Sequence, residues 1–576
     1  MDVIIYDFEV FKYDWLVVFR NITQRKRIVI ENDPEALREY YDENKTAIFT
    51  GYNVKYYDTH IFRAIMSGLD PAEVTKLIIE DKVPGWKIPG IKRYPILTYD
   101  LSQDIQGAPF LSLKEAEGNM GLSIVETTIP FDIDRKLTFD ELDEVEYYCD
   151  YDTYATERLF EARFEDFKAS MLLIQEFDLG IENIDKTTAQ LTALILGAKK
   201  GRKIYDELIY DLPDEVQVNN QDIVDLYTQG PLDYKKTLKV DIAGIEHKLA
   251  YGGLHGARKQ YNAKTLLLLL DVTSYYPSLM IRYNYMSRNA RHPERFEQIY
   301  NQRVEYKAQG HYMAYPLKIA IAATFGCMKN QYNNMYDPKQ PNQICISGQL
   351  FLVDLIEKLE PYVKLVQSNT DGILVEPDMD YIETIKDIVN EWETRTGMNL
   401  EWEWGTGIWQ KDVNNYVMLH EDGGITVKGG YVVNHKGGDY RKNSMSIVDK
   451  AVVNYMVYGT DPYVTIHEEQ DLISFQQIAK AGATFSHNVH VVQEGLELPV
   501  NKVNRVFATT DKSKGKVYKV KEGKLHATPG ISGHVVIYND SIEGKTVNDL
   551  PELDKDWYVE QAWNRISDFG LERKVL

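Results

Sequence analysis

The chain has 576 residues, 87 acidic against 65 basic side chains and a formal net charge of −22, with 44% hydrophobic and 26% charged residues. That length exceeds what one hydrophobic core supports, so several domains are expected. No apolar run of membrane-spanning length occurs, and Cys149, Cys327 and Cys345 have neither the number for a disulfide framework nor the spacing of metal ligands, so a reducing cytoplasm is expected. The acidic balance disfavours a surface that attracts nucleic acid everywhere, but not a groove that does so locally. Basic residues cluster at 282–296 and at 512–524, where a solvated charged surface is the plain alternative.

The first residues, MDVIIYDFEVF, lack the basic segment and cleavage site of a signal peptide and read as a strand of the mature fold. Residues 1–165 alternate strand-like runs with helical stretches, the pattern of an α/β domain. Asp7 and Glu9 stand two apart in the first strand, so both leave the same face. Two acids on one face repel unless a cation lies between them, and a divalent metal suits hard carboxylate oxygens. Taken alone, such a pair is more often an exposed polar face. Two further elements weigh against that: Asn53 and Asp58 follow the AIFT strand, and Tyr148 and Asp152 lie one turn apart on a long helix. Thr138 to Glu141 predicts a capping box at the start of that helix.

Residues 166–240 read as helical and linking, with a Lys/Gly-rich break at 198–203. Beyond 240 the pattern changes to buried strands, a helical pair and a hairpin. The apolar run 266–270 ends in Asp271, and a charge at the end of a buried strand is costly unless paired or metal-bound. Arg303 and Lys307 share a face of the first helix of the pair. Lys318, Ala322 and Gly326 share a face of the second, which opens near Pro316 with Phe325 beside that face. Two β-prone runs around Ser368–Gly372 predict a hairpin with Asp371 at its tip, within reach of Asp271.

In this order, acid-x-acid, Asn…Asp and Tyr-x-x-x-Asp resemble the three exonuclease motifs of ribonuclease-H-like proofreading domains. Asp271 to Ser278 resembles motif A of B-family DNA polymerases, Lys318 with Gly326 resembles motif B, and Asn369-Thr370-Asp371-Gly372 resembles motif C. The resemblance implies a multidomain α/β and α+β chain: a ribonuclease-H-like exonuclease (1–165), a helical linker (166–240), a palm in two parts (241–290 and 333–408), fingers (291–332) and a thumb (409–576). It implies a nucleotidyltransferase with 3′→5′ proofreading that uses two Mg²⁺ ions per site, with Mn²⁺ as the alternative. Asp7, Glu9, Asp58 and Asp152 would hold the exonuclease metals and Tyr148 would orient the attacking water. Asp271 and Asp371 would hold the polymerase metals. Arg303, Lys307 and Lys318 would bind the triphosphate, and Tyr276 would lie under the incoming sugar.

The same resemblance assigns DNA contacts to Asn53, Gly326, the Tyr251-Gly252-Gly253 element and Tyr416, with Lys428 in place of a primer-binding lysine that the chain lacks near Asn414. Lys514 and Lys516 join them by position and charge. Lys114 resembles the lysine of a further exonuclease motif whose hydrophobic follower is not clear here, and Asp100 lies in the same region. The chain departs from the family at Asn369, Gly372, Ala322, Phe325 and Asn414. Those departures keep a rival open, a 3′→5′ nuclease with a degenerate polymerase half; a non-catalytic DNA-binding protein is the other rival. Expected partners are primer–template DNA, deoxynucleoside triphosphates and replisome accessory factors, with the chain acting as a monomer off the membrane. Analogy of size suggests a phage or mobile-element replicase. Asp271 and Lys318 are 47 residues apart, and Gly326 and Asp371 are 45. Neither interval holds the extra segments of protein-primed relatives, so a nucleic-acid primer is expected.

Overall fold

The computed structural model describes residues 1–201, 205–492 and 495–573, so Arg202 and Lys203 of the expected Lys/Gly-rich break lie outside the described residues. The chain forms two compact units. The first comprises residues 1–187, 437–446 and 469–558; the second comprises 188–436, 447–468 and 559–576.

In the first unit, β1 (Val3–Val10), β2 (Trp15–Asn21), β3 (Lys26–Glu31), β4 (Ile48–Gly51) and β5 (Leu97–Asp100) make a sheet of order β3-β2-β1-β4-β5. The first three strands are antiparallel, and β4 and β5 run parallel to β1. Alternation along β1 sends Tyr6 and Phe8 into an aromatic core with Phe19, Phe49 and Phe62. Asp7 and Glu9 are therefore delivered to the opposite face. The helix Phe139–Ala162 covers that face through Val145 and Cys149, packed on Leu16 and Val18. Its first turn carries the expected capping box, with Thr138 and Glu141 each satisfying the other's backbone N–H.

The strands Gln477–Lys480, Val503–Ala508 and Val535–Ile537 form a second sheet of this unit. They pack on the helix Leu113–Met120, where Ile478 sits so close to Gly118 that a Cβ there would lie 2.7 Å from its side chain. Arg505 is wholly buried and donates to the carbonyls of Gly118 (3.1 Å), Leu122 (2.7 Å) and Asp540 (2.7 Å). It thereby satisfies backbone acceptors left over at the end of that helix. The lysine-rich hairpin is present as the strands Lys516–Lys521 and Lys524–Ala527.

In the second unit, the hairpin β6 (Leu238–Ile242) and β7 (Ile245–Leu249) precedes an eight-stranded sheet. That sheet contains β8 (Gly256–Ala257), β9 (Tyr261–Ala263), β10 (Leu267–Val272), β11 (Val363–Ser368), β12 (Gly372–Pro377), β13 (Leu400–Asp412), β14 (Asn415–His420) and β15 (Ile425–Lys428). Its order is β15-β14-β13-β10-β12-β11-β8, with β9 paired to β13. The helix Lys339–Leu359 is buried along almost its whole length. Pro341 falls in its first turn, where a missing N–H costs nothing. The helices Glu294–Ala308 and Ala314–Lys329 form the expected pair.

Two expectations need correction. The palm–thumb boundary at 408/409 falls inside β13, and the sheet continues by regular pairing through β14 and β15 to Lys428. Residues 469–558, expected in a thumb, fold with residues 1–187 instead, because their apolar faces are buried on the Leu113–Met120 helix. The basic cluster at 282–296 is also partly structural. Arg288 is held by Asp206 and Asp337, each at 2.6 Å, and Arg295 donates to the Ile195 carbonyl.

Candidate active sites

In the first unit the acids converge. Asp58 opens the helix Asp58–Met66 and accepts the Phe8 N–H at 3.0 Å, which fixes it against β1 beside Asp7 and Glu9. Asp152 comes down from the covering helix. Glu9, Asp58 and Asp152 are all at least nine-tenths buried. Burial and then the neighbouring acids push Asp7 and Glu9 well above the ordinary carboxylate range, burial raises Asp152 against the pull of Lys114, and burial pushes Asp58 up to about 7. Among the described residues, the ammonium in the cluster is that of Lys114, 2.5 Å from Asp152 and 4.8 Å from the Tyr148 ring centre. The Tyr148 side chain lies one helical turn from Asp152 and close enough to interact with its carboxylate.

Four carboxylates against one ammonium leave excess negative charge on hard oxygen donors, which fits divalent metal ions of the Mg²⁺ class. Cys149 brings its sulfur within 4.8 Å of the Asp7 and Glu9 oxygens. Its thiol donates to the Asp7 carbonyl at 3.3 Å, and burial and the nearby acids keep it protonated, so it packs as a neutral neighbour. Asp100 has a different part. Its two oxygens accept the backbone N–H groups of Asn53 and Lys55 at 2.9 and 3.0 Å, holding the turn in which Asn53 adopts φ +64° and stays exposed.

In the second unit, pairing of β10 with β12 sets Asp271 opposite Gly372. The Val272 N–H donates to the Asp371 carbonyl at 2.7 Å, so the hairpin tip is tied to the end of β10. A Cβ on Gly372 would lie 2.6 Å from the Leu270 carbonyl oxygen and 2.8 Å from Asp271 Oδ1. The absence of a side chain at Gly372 is thus what lets the two strands come this close. Burial first, then Asp371, Glu401 and Glu403, push Asp271 up to about 7. Glu401 faces Asp271 across the β10–β13 pair and accepts from Thr273 Oγ1 at 3.1 Å. A cluster of hard donors again fits a divalent cation.

Around this centre, Gly253 abuts the hairpin tip so closely that a Cβ would meet Thr370 at 2.3 Å, while Gly252 faces open space. Tyr251 accepts the Asp233 N–H through its hydroxyl and stacks edge-on with Tyr234. The Tyr276 ring lies 4.8 Å from that of Phe325, with its hydroxyl 3.6 Å from Cys345 Sγ. Lys318, Ala322 and Gly326 are exposed on one helix face, Lys307 is exposed, and Arg303 buries an Nε without a hydrogen-bond partner. Tyr416 lies beside Gln367 and Asn369, and Lys428 pairs opposite it in β15 with its Nζ 6.0 Å from the ring.

No family model and no curated protein matches the sequence. Among solved structures the chain is similar to a family B DNA polymerase from the hyperthermophilic archaeon Pyrobaculum calidifontis. The likeness covers 100% of this chain and 79% of that one, with 13% identity and a TM-score of 0.41.

The sequence reading named the principal acids of both clusters but missed Glu117, Glu401 and Glu403. Glu401 and Glu403 alternate with Trp402 and Trp404 in β13, a visible period-two signal. The raised carboxyls also predict a pH effect. In metal-free protein the folded state binds protons at Asp58 and Asp271 that the unfolded chain has lost, between about pH 4 and pH 7. Their stabilising contribution is full below that window and disappears as pH rises through it. In EDTA, Tm should therefore be lower at about pH 8 than at about pH 5.5, and Mg²⁺ should raise it mainly at the higher pH. Calorimetry showing equal Mg²⁺ stabilisation at both pH values would contradict the assignment.

Proposed function

We propose that the chain is a template-directed DNA polymerase that extends a nucleic-acid primer and edits the new 3′ end with a 3′→5′ exonuclease. The observation that carries this reading is the β10–β12 register, which ties the Asp371 hairpin tip to the Asp271 strand end. It is supported by the second carboxylate centre, on a sheet of order β3-β2-β1-β4-β5 suited to a ribonuclease-H-like exonuclease. In both centres a pair of Mg²⁺ ions would supply a hydroxide or alkoxide nucleophile and charge stabilisation for the leaving oxygen. In the exonuclease, Asp7, Glu9, Asp58 and Asp152 would hold the ions. The Tyr148 hydroxyl orients the attacking water, and exposed Asn53 meets the frayed primer end.

In the polymerase, Asp271 and Asp371 would hold the ions. Lys307, Lys318 and Arg303 neutralise the triphosphate. The primer 3′ oxygen attacks the α-phosphate in line and pyrophosphate leaves. Gly253 and the Tyr251 element line the template, and Tyr416 with Lys428 holds the primer strand. Lys514 and Lys516 belong to the unit that carries the exonuclease, so we assign them to the DNA entering that site.

A primer-extension gel on annealed DNA or RNA primers with Mg²⁺ tests the whole reading. Longer products with nucleotides and shorter ones without are expected. No extension once Asp7 and Glu9 are replaced by alanine would favour the nuclease with a degenerate polymerase half. The Tyr276 ring, backed by Phe325, leaves no room for a 2′-hydroxyl, so Tyr276→Val should raise ribonucleotide over deoxyribonucleotide incorporation by about tenfold or more. An unchanged ratio would remove Tyr276 from sugar selection. Replacing Lys514 and Lys516 by alanine should flatten the slope of log K against log salt for single-stranded DNA by about 0.7 per lost contact. An unaltered slope would place the DNA elsewhere.

A further inference from the structure

Glu117 takes no part in the chemistry above, yet its side chain is wholly buried one turn beyond Lys114. Lys114 Nζ donates to Glu117 Oε1 at 3.2 Å while holding Asp152 Oδ1 at 2.5 Å. Glu117 Oε2 is buried with no hydrogen-bond partner. A half-satisfied buried carboxylate is costly, and an apolar side chain of similar size would suit the fold better. Burial pushes this carboxyl up to about 8, against the pull of Lys114. The exposed Glu126 adds a further negative charge near both Lys114 and Glu117. The backbone of Glu117 is not free to yield, because Arg505 clamps the carbonyls of Gly118 and Leu122 just beyond it.

We propose that Glu117 is a positioning residue of the exonuclease, which holds the Lys114 ammonium between two carboxylates and over the Tyr148 ring. With Asp152 as its sole partner, the ammonium would direct all of its hydrogen bonds to that carboxylate and compete with metal for both oxygens. Shared with Glu117, the charge stays in register with Tyr148 and leaves Asp152 oxygen free to serve as a ligand. This inference rests on the exonuclease reading.

The test is a cycle of Glu117→Leu and Glu117→Gln, alone and combined with Lys114→Met, in the full-length protein. Glu117→Leu should lower kcat for removal of a single-stranded 3′ nucleotide about tenfold with KM unchanged, and Glu117→Gln, which keeps an acceptor for Lys114, should recover most of it. With Lys114→Met in place, Glu117→Leu should cost no further activity and should raise Tm, since it then removes an unpaired buried acid. Equal losses in both backgrounds would make Glu117 merely structural and overturn the proposal. Asp7→Ala with Glu9→Ala is run in parallel. If that variant still trims primers, the exonuclease reading fails, and acetic anhydride labelling read by mass spectrometry decides the positioning separately. Lys114 should be acylated several-fold faster in Glu117→Leu than in the unaltered protein, and equal labelling would refute the positioning.

Discussion

Asp271→Asn or Asp371→Asn should lower single-nucleotide extension by at least about a hundredfold while leaving 3′-end degradation within about twofold. Asparagine keeps the shape of the carboxylate, so the β10–β12 pairing and the Val272-to-Asp371 bond survive. What is lost is the charge that would hold the metals and stabilise the pentavalent phosphate, and removing one such group typically costs about a hundredfold to a thousandfold. Measured in an exonuclease-deficient background, a loss under about tenfold would exclude these residues from the polymerase centre. Gly372→Ser is a geometric companion, since its Cβ would press on the Leu270 carbonyl and on Asp271.

The mirror result is expected for Asp7→Ala with Glu9→Ala. Degradation of a single-stranded 3′ end should fall by about a thousandfold or more, because two of four converging ligands disappear. Extension should change by less than about twofold. The double variant should also be more stable than the parent in EDTA at about pH 8, because it relieves repulsion that holds the neighbouring acids in their protonated forms. Trimming at the parental rate would show that the metal site of this unit lies elsewhere.

These acids were legible because their signals are local: two residues apart on a strand, four apart on a capped helix, or at the end of an apolar run. Glu117 was not, since a buried acid on a short helix leaves the same trace as a surface one. The helix that carries it is packed at Gly118 by Ile478 and Arg505, several hundred residues away in sequence. The 408/409 boundary misled for a related reason. Tyr416 and Lys428 were read as the start of a new domain, whereas backbone pairing makes them the outer strands of an existing sheet. The basic cluster at 282–296 gave no sign that Arg288 is paired, because its partners, Asp206 and Asp337, are distant along the chain.

The clasp of Arg505 on the Leu113–Met120 helix has a consequence for how the protein is made. The amino-terminal residues leave the ribosome long before the segment that completes their unit, which ends at residue 558. At roughly 5–20 residues per second, the wait from residue 187 to residue 558 lasts about 20–75 s. Throughout it, the Gly118 and Leu122 carbonyls lack their guanidinium and the surface that receives Ile478 is bare. A nascent chain in that state is a ready substrate for chaperones that bind apolar surface. An excised fragment of residues 1–187 would remain in it permanently, so a soluble form of the first unit cut from this protein must carry residues 469–558 with it, joined or supplied as a second chain.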